Sequence, residues 1–242
     1  MKYRLFGLPI TLILAILLPA CSGGPPPADW KLNAVSLLEH SQQRWLEGDS
    51  KSADLAMDQA RKEIAKSGRI DLLARAELAI CASKIASLDF SACAPFNTLE
   101  TDASLTDKAY ARFLAADWNG LDTKTLPTHY ADLISAKDDA SANKAFDEIK
   151  DPLPRLIAAA LLFKAGRADP TTLAAAVETA SEQGWRRPLL AWLDVLHKRA
   201  MASQDTAAAN QIQRRIDLIQ GPNPEPRPGT PPTLAPRIIA PL

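Results

Sequence analysis

The sequence predicts an all-α protein built from antiparallel helix pairs, and three observations lead to this fold class. Apolar residues recur at helical spacing along the middle of the chain, and no stretch shows the alternating, β-branched pattern of a strand. Helix-capping residues and glycines divide this region into segments of ordinary helix length. Apolar residues make up 47% of the chain but aromatic residues only 6%, so we expect an Ala- and Leu-rich core in which helices approach closely.

Four helices are predicted in the first half of this region. Each begins at a residue that can cap a helix N-terminus, and three of them end at a glycine that can take up a left-handed conformation. The starts are Asp29, Asp49 or Ser50, Asp71, and Thr106 or Asp107, and the glycines are Gly48, Gly68 and Gly120.

The second half has two weakly marked short helices followed by four well-marked ones. Asp151-Pro152 and Asp169-Pro170 each place a capping residue before a proline at the first helical position, where the missing N–H has no cost. The predicted helices cover residues 127–134, 141–149, 152–166, 170–184, 188–202 and 205–219.

The first helix pair resembles a tetratricopeptide repeat, in which small residues let two helices approach and a larger one fills the groove between them. The matching positions are Gly48 at the turn, followed by Ala53, Met57 and Ala60. Ser41 and Arg44 depart from the family's first helix, and no period of about 34 residues recurs. The resemblance implies a helical-repeat domain over residues 29–220, stacked as a TPR-like or irregular α-solenoid.

The N-terminus has the organisation of a secretory signal peptide over residues 1–20. Lys2 and Arg4 supply a positive start, residues 5–18 are mainly apolar, and Ala20 is small. A transmembrane anchor is the alternative. The apolar run is shorter than the roughly 20 residues that span a bilayer, and a Gly- and Pro-rich stretch follows it, so we favour the signal peptide.

The Leu-Pro-Ala-Cys motif at residues 18–21 resembles the lipobox of bacterial lipoproteins, although Pro19 is an unusual residue within it. The resemblance implies that the Cys21 thiol receives a diacylglyceryl group and that the acyl chains hold the protein on a membrane. The residue after Cys21 is Ser22 and not Asp. By the sorting pattern of that family, this implies that the protein lies on the periplasmic side of a Gram-negative outer membrane. Residues 21–28 are then the lipidated cysteine and a linker that reaches at most about 25 Å.

The two remaining cysteines, Cys81 and Cys93, are expected to form a disulfide. An oxidising compartment favours such a bond, and lipidation of Cys21 leaves only this pairing. Closing a loop of this size should stabilise the fold by about 3 kcal/mol. Two buried free thiols are the alternative.

The C-terminal residues 221–242 contain eight prolines and are predicted to be disordered or to populate polyproline II. The end of this tail is more apolar than a spacer requires. A second interpretation is therefore that the tail is a docking peptide, which binds either a partner or a groove on the helical body. Its large apolar residues are Leu234, Ile238, Ile239 and Leu242.

No residue pattern indicates a catalytic or metal site, so we expect no enzyme activity and no cofactor other than the lipid. The three histidines lie in separate predicted helices. Within each of the two adjacent acidic pairs, the two side chains point to different helix faces. This favours positions that cap a helix or are solvated over two carboxylates that share a proton. These residues are His40, His129, His197, Asp138-Asp139 and Asp147-Glu148.

The charge balance gives no support for nucleic-acid binding. The chain has 28 basic and 28 acidic residues, and removal of Lys2 and Arg4 with the signal peptide leaves a net charge of about −2.

The five tryptophans are expected mainly to fill gaps in the core, and Trp185 is the exception. It lies in a turn beside Gly184, so we expect it to be exposed. Arg186 and Arg187 follow it and offer a weak indication of contact with anionic headgroups or glycan. The other four are Trp30, Trp45, Trp118 and Trp192.

The expected function is a non-catalytic, membrane-anchored scaffold or assembly factor that binds another envelope protein. In plan it resembles lipoproteins of stacked helix pairs that act as pilotins or assembly factors. No small-molecule substrate is evident. An envelope hydrolase acting on peptidoglycan or lipid is one alternative, and it would need His129 or His197 beside a carboxylate in a cleft. A structural lipoprotein is the other.

Overall fold

The computed structural model describes residues 28–221, so the predicted signal peptide, Cys21 and the proline-rich tail lie outside the described residues. This part of the chain contains eleven α-helices, three single 3-10 turns and no strand. The helices are α1 Asp29–Glu47, α2 Ser50–Ala65, α3 Ile70–Ala86, α4 Ala94–Asn97, α5 Leu105–Leu114, α6 Ala131–Ser135, α7 Asp139–Glu148, α8 Pro152–Lys164, α9 Pro170–Glu182, α10 Arg186–Ala202 and α11 Thr206–Gln220.

The predicted all-α class is confirmed, and short turns join most neighbouring helices into pairs. Helix α1 packs along α2, α8 against α9, and α10 against both α9 and α11. Two further contacts join parts that are far apart along the chain, since α3 packs on α8 and α1 on α10. In a regular repeat array each unit touches only its neighbours, so these contacts fold the stack back on itself.

Helix α8 lies at the centre of the larger core. Seven consecutive residues, Leu156–Leu162, are buried, so this helix is covered on every side. Its neighbours α3, α7 and α9 supply the cover. Three alanines in a row, Ala158–Ala160, remove side-chain bulk and let those helices approach.

A smaller core joins α1, α2 and the first half of α3. The residues that resemble a tetratricopeptide repeat are part of this interface, since Ala53, Met57 and Ala60 are all buried. Ser41, which departs from that pattern, is also buried, and its hydroxyl donates a 2.8 Å hydrogen bond to the Ala53 carbonyl. The Ser41 hydroxyl therefore has its hydrogen-bond partner within the helix pair.

Several predicted helix caps are present in the structure. Three aspartates accept a hydrogen bond from a backbone N–H of the first helical turn, which satisfies a group that has no partner in the helix. These are Asp49 before α2, Asp169 before α9 and Asp205 before α11.

Other predicted helix starts were wrong by a few residues. Asp29 lies inside the first turn of α1, with Ala28 as the N-cap. The hydroxyl of Ser104, not Thr106 or Asp107, caps α5. Helix α10 begins at Arg186, two residues before Pro188.

The end of α5 was also predicted wrongly, because the helix ends at Leu114 and Trp118 lies beyond it. Ala116 has the left-handed conformation that ends the helix, at φ 63°. The indole N–H of Trp118 donates a 3.0 Å hydrogen bond to the Phe113 carbonyl, which folds the side chain back on the helix. The helix therefore ends six residues before Gly120.

Among residues 28–221, no helix has both the length and the apolar character needed to cross a bilayer.

Candidate binding surfaces

The two cysteines predicted to pair are brought together in the structure. Their sulfurs lie within bonding distance and their Cα atoms are 5.8 Å apart. Cys81 lies on α3, while Cys93 immediately precedes the short helix α4, which sequence analysis did not predict. The pairing holds the connection after α3 against that helix, and Phe96, 1% exposed, fixes its far end in the core.

This connection separates two recesses in the surface, and we call residues 87–97 the disulfide loop. A cavity of about 290 Å³ lies between the loop, α5 and the end of α8. A smaller one of about 80 Å³ lies between the loop and the first three helices. Ser91, Ala92 and Pro95 are exposed between them. The arrangement presents a constrained loop with a mainly apolar recess on one side and a smaller recess with several charged lining residues on the other.

An ion pair between the partly exposed Arg61 and the buried Glu77 lines the smaller recess. The Arg61 guanidinium donates to both carboxylate oxygens of Glu77, at 2.6 and 2.9 Å, and Glu77 is 5% exposed. The hydrogen bond to Glu77 raises the pKa of Arg61 against the opposing effect of burial. The two residues come from α2 and α3, so the pair links these helices through a two-point hydrogen bond.

Trp45 forms one wall of the same recess and lies near two cations. The Arg187 guanidinium carbon is 3.9 Å from an indole ring centroid, and the Lys84 ammonium is 5.3 Å from it. Arg187 also donates to the Trp45 carbonyl at 2.7 Å and to the Ser50 hydroxyl at 2.6 Å. Burial lowers the pKa of Arg187, and the charges of Asp89 and Asp54 oppose this shift. Arg187 therefore joins α10 to the first helix pair.

The prediction of an exposed Trp185 was wrong, because its side chain is 8% exposed. The turn at Gly184, with φ 65°, directs the chain so that the start of α10 packs on α1. The indole N–H of Trp185 then donates to the side-chain oxygen of Gln43 at 3.3 Å. The local sequence predicts the turn, but the burial of Trp185 depends on the contact between α1 and α10.

The histidines considered for an enzyme are not paired with acids in the described part of the chain. His129 lies edge-on to Tyr130, with ring centroids 4.1 Å apart. Burial lowers the pKa of His129, and Asp151 opposes the shift. Within residues 28–221, neither His129 nor His197 has a hydrogen bond to a carboxylate, and no group of three potential metal ligands assembles.

The adjacent acidic residues take structural positions, as their spacing indicated. Asp138 caps α7 in a reciprocal capping box with Ser141. Asp139 accepts a 2.8 Å hydrogen bond from Arg167, and Asp147 lies 3.5 Å from the Arg155 guanidinium.

A third surface lies at the start of α1 and was missed by sequence analysis. A mainly apolar recess of about 210 Å³ opens there between the first three helices, and Trp30, Ile64 and Leu72 are among its lining residues. Large exposed apolar side chains lie at the same end of the body. These are Leu32 (54% exposed), Val35 (50%), Ile70 (48%) and Leu105 (83%).

Comparisons with protein-family models, with curated proteins and with solved structures each find no match for this chain.

Proposed function

We propose that this chain is a lipoprotein of the Gram-negative outer membrane, attached through lipid on Cys21 and facing the periplasm. Its helical body acts as a non-catalytic scaffold or assembly factor that binds an envelope protein. The observation that carries the proposal is the lipobox-like motif at residues 18–21, which follows a signal-peptide pattern. Only residues 22–28 separate Cys21 from α1, so the body would work close to the membrane.

The disulfide loop is the surface that best fits a protein partner. Cys81–Cys93 and the buried Phe96 hold the loop, so binding would cost little conformational entropy. Exposed, uncharged residues Ser91, Ala92 and Pro95 lie between two recesses. A partner's apolar side chain could enter the larger, mainly apolar recess, and a polar side chain could meet the charged residues of the smaller one.

Lipidation is tested with two substitutions beside each other in the sequence. We expect Cys21→Ala to abolish incorporation of a palmitate analogue, because the acceptor thiol is gone. Ser22→Asp serves as the matched control: the cysteine is intact, so labelling should persist while the protein moves to the inner membrane. Label retained in Cys21→Ala would refute the anchor.

Partner binding is tested by photo-crosslinking in intact cells. A crosslinking amino acid replaces Ala92 in the loop, and a second variant carries it at Lys198, an exposed position on α10. We expect one stoichiometric envelope protein, identified by mass spectrometry, at position 92 and none at position 198. Equal or absent crosslinking at the two positions would contradict the scaffold role.

A further inference from the structure

We propose that the end of the body at the start of α1 rests on the lipid surface, so that the protein has a fixed orientation on its membrane. We call this surface the N-terminal face and define it by Trp30, Leu32, Val35, Ile70 and Leu105. The inference depends on the proposed lipid anchor and adds a second, non-covalent contact with the same membrane.

Contacts between helices place these residues at one end of the body. The recess at the start of α1 is lined by Trp30 of α1 together with Leu72 and Arg75 of α3. Ile70 is the first residue of α3, two positions before Leu72. Arg75 in turn donates to Asp107 at 3.0 and 3.2 Å, which brings the first turn of α5 to the same end.

The exposed apolar side chains are concentrated there. Within residues 28–221, seven large hydrophobic residues are exposed, and four of them belong to the N-terminal face. The other three, Leu55, Met201 and Leu218, lie on α2, α10 and α11. An apolar cluster of this kind on a helical protein marks a surface that contacts something less polar than water.

The length of the preceding chain identifies the lipid surface as the occupant. Residues 22–28 between Cys21 and α1 can extend at most about 25 Å, and α1 starts at this end of the body. Membrane contact is therefore effectively intramolecular, so a weak apolar interaction suffices. Trp30 can lie at the boundary between headgroups and acyl chains, and Lys31 beside it can reach phosphates with its charged end.

The test measures how deeply single labelled positions lie in a bilayer. Lipidated mature protein, beginning at Cys21, carries one added cysteine, either Leu32→Cys or Ile70→Cys, labelled with a fluorophore. It is reconstituted into vesicles of phosphatidylethanolamine, phosphatidylglycerol and phosphatidylcholine brominated on its acyl chains. Leu218→Cys is the matched control, since this leucine is also large and 82% exposed but lies near the end of α11.

We expect bromine quenching at positions 32 and 70 to exceed that at position 218 at least twofold. Equal quenching at the three positions would overturn the inference. So would labels at 32 and 70 that are unquenched in vesicles but protected in whole envelopes, because a protein would then cover the face. Mass spectrometry of the starting material separates the two proposals: protein without lipid refutes the anchor itself, whereas lipidated protein without quenching refutes only the membrane contact.

Discussion

At the scale of single residues, Arg187 shows how one side chain connects distant parts of the chain. It stacks on Trp45 and donates to a backbone carbonyl and to a hydroxyl of the first helix pair, about 140 residues away. Its neighbour Arg186 is exposed. The sequence presents the two arginines as equivalent, and only the packing of α10 on α1 distinguishes them.

This difference gives a prediction with an internal control. We expect Arg187→Ala to lower the free energy of unfolding by about 1–2 kcal/mol, because a cation–π contact and two hydrogen bonds are lost from a partly exposed site. Arg186→Ala should change it by less than about 0.5 kcal/mol. Urea unfolding followed by circular dichroism measures both. Equal losses in the two variants would contradict the assignment.

The Arg61–Glu77 pair is a second residue-scale feature that the sequence does not reveal. The two side chains are 16 positions apart and lie on different helices, so no local spacing rule connects them. Asp138 is the opposite case. Its cap depends only on residues within one helical turn, and the spacing of the acidic pair favoured a capping or solvated position, although the helix was predicted to begin at Ser141.

At the scale of elements, the sequence predicted the cysteine pairing of the disulfide loop but not the structure of the loop itself. The Cys81–Cys93 pairing followed from compartment and cysteine number. Helix α4, which begins directly after Cys93, was not predicted because four residues carry too little periodic signal. The loop's constrained shape depends on that helix and on the burial of Phe96.

We expect the disulfide to stabilise the body measurably. Replacing Cys81 and Cys93 together by Ala should lower the free energy of unfolding by about 2–3 kcal/mol, mainly because the unfolded chain gains freedom. Thermal unfolding should show a fall in Tm of about 5–10 °C.

Chemical reduction provides the control for this experiment. Dithiothreitol should lower the Tm of the unsubstituted protein and leave the Ala-Ala variant unchanged. A Tm of the unsubstituted protein that does not respond to reductant would contradict a stabilising disulfide.

At the scale of the whole molecule, the contacts of α3 with α8 and of α1 with α10 join the two halves of the chain. The larger core also crosses this boundary, since Leu78 of α3 and Leu161 of α8 belong to one cluster. Stacked helix pairs that touch only their neighbours can unfold in parts, whereas this arrangement links all pairs.

We therefore expect residues 28–221 of the full chain to unfold in one cooperative step. Far-UV circular dichroism, which follows all helices, and tryptophan fluorescence should give the same midpoint in urea. Leu161→Ala truncates a fully buried side chain of α8 and should lower the free energy of unfolding by about 2–4 kcal/mol. Both urea midpoints should then fall together. Two separated transitions would show that the halves are independent.

The sequence by itself determined the all-α class and most helix boundaries to within a few residues, and it predicted the pairing of Cys81 with Cys93 over two free thiols. These depend on short-range rules: apolar periodicity, caps such as Asp49 and Asp169, and cysteine number. The tertiary structure decided which surfaces are available. It buried Trp185 and assigned Arg187 to the α1–α10 contact. It also brought Leu32, Val35, Ile70 and Leu105 to the end of the body at the start of α1. Exposure depends on which helices meet, and helices that meet across 140 residues leave no periodic trace in the sequence.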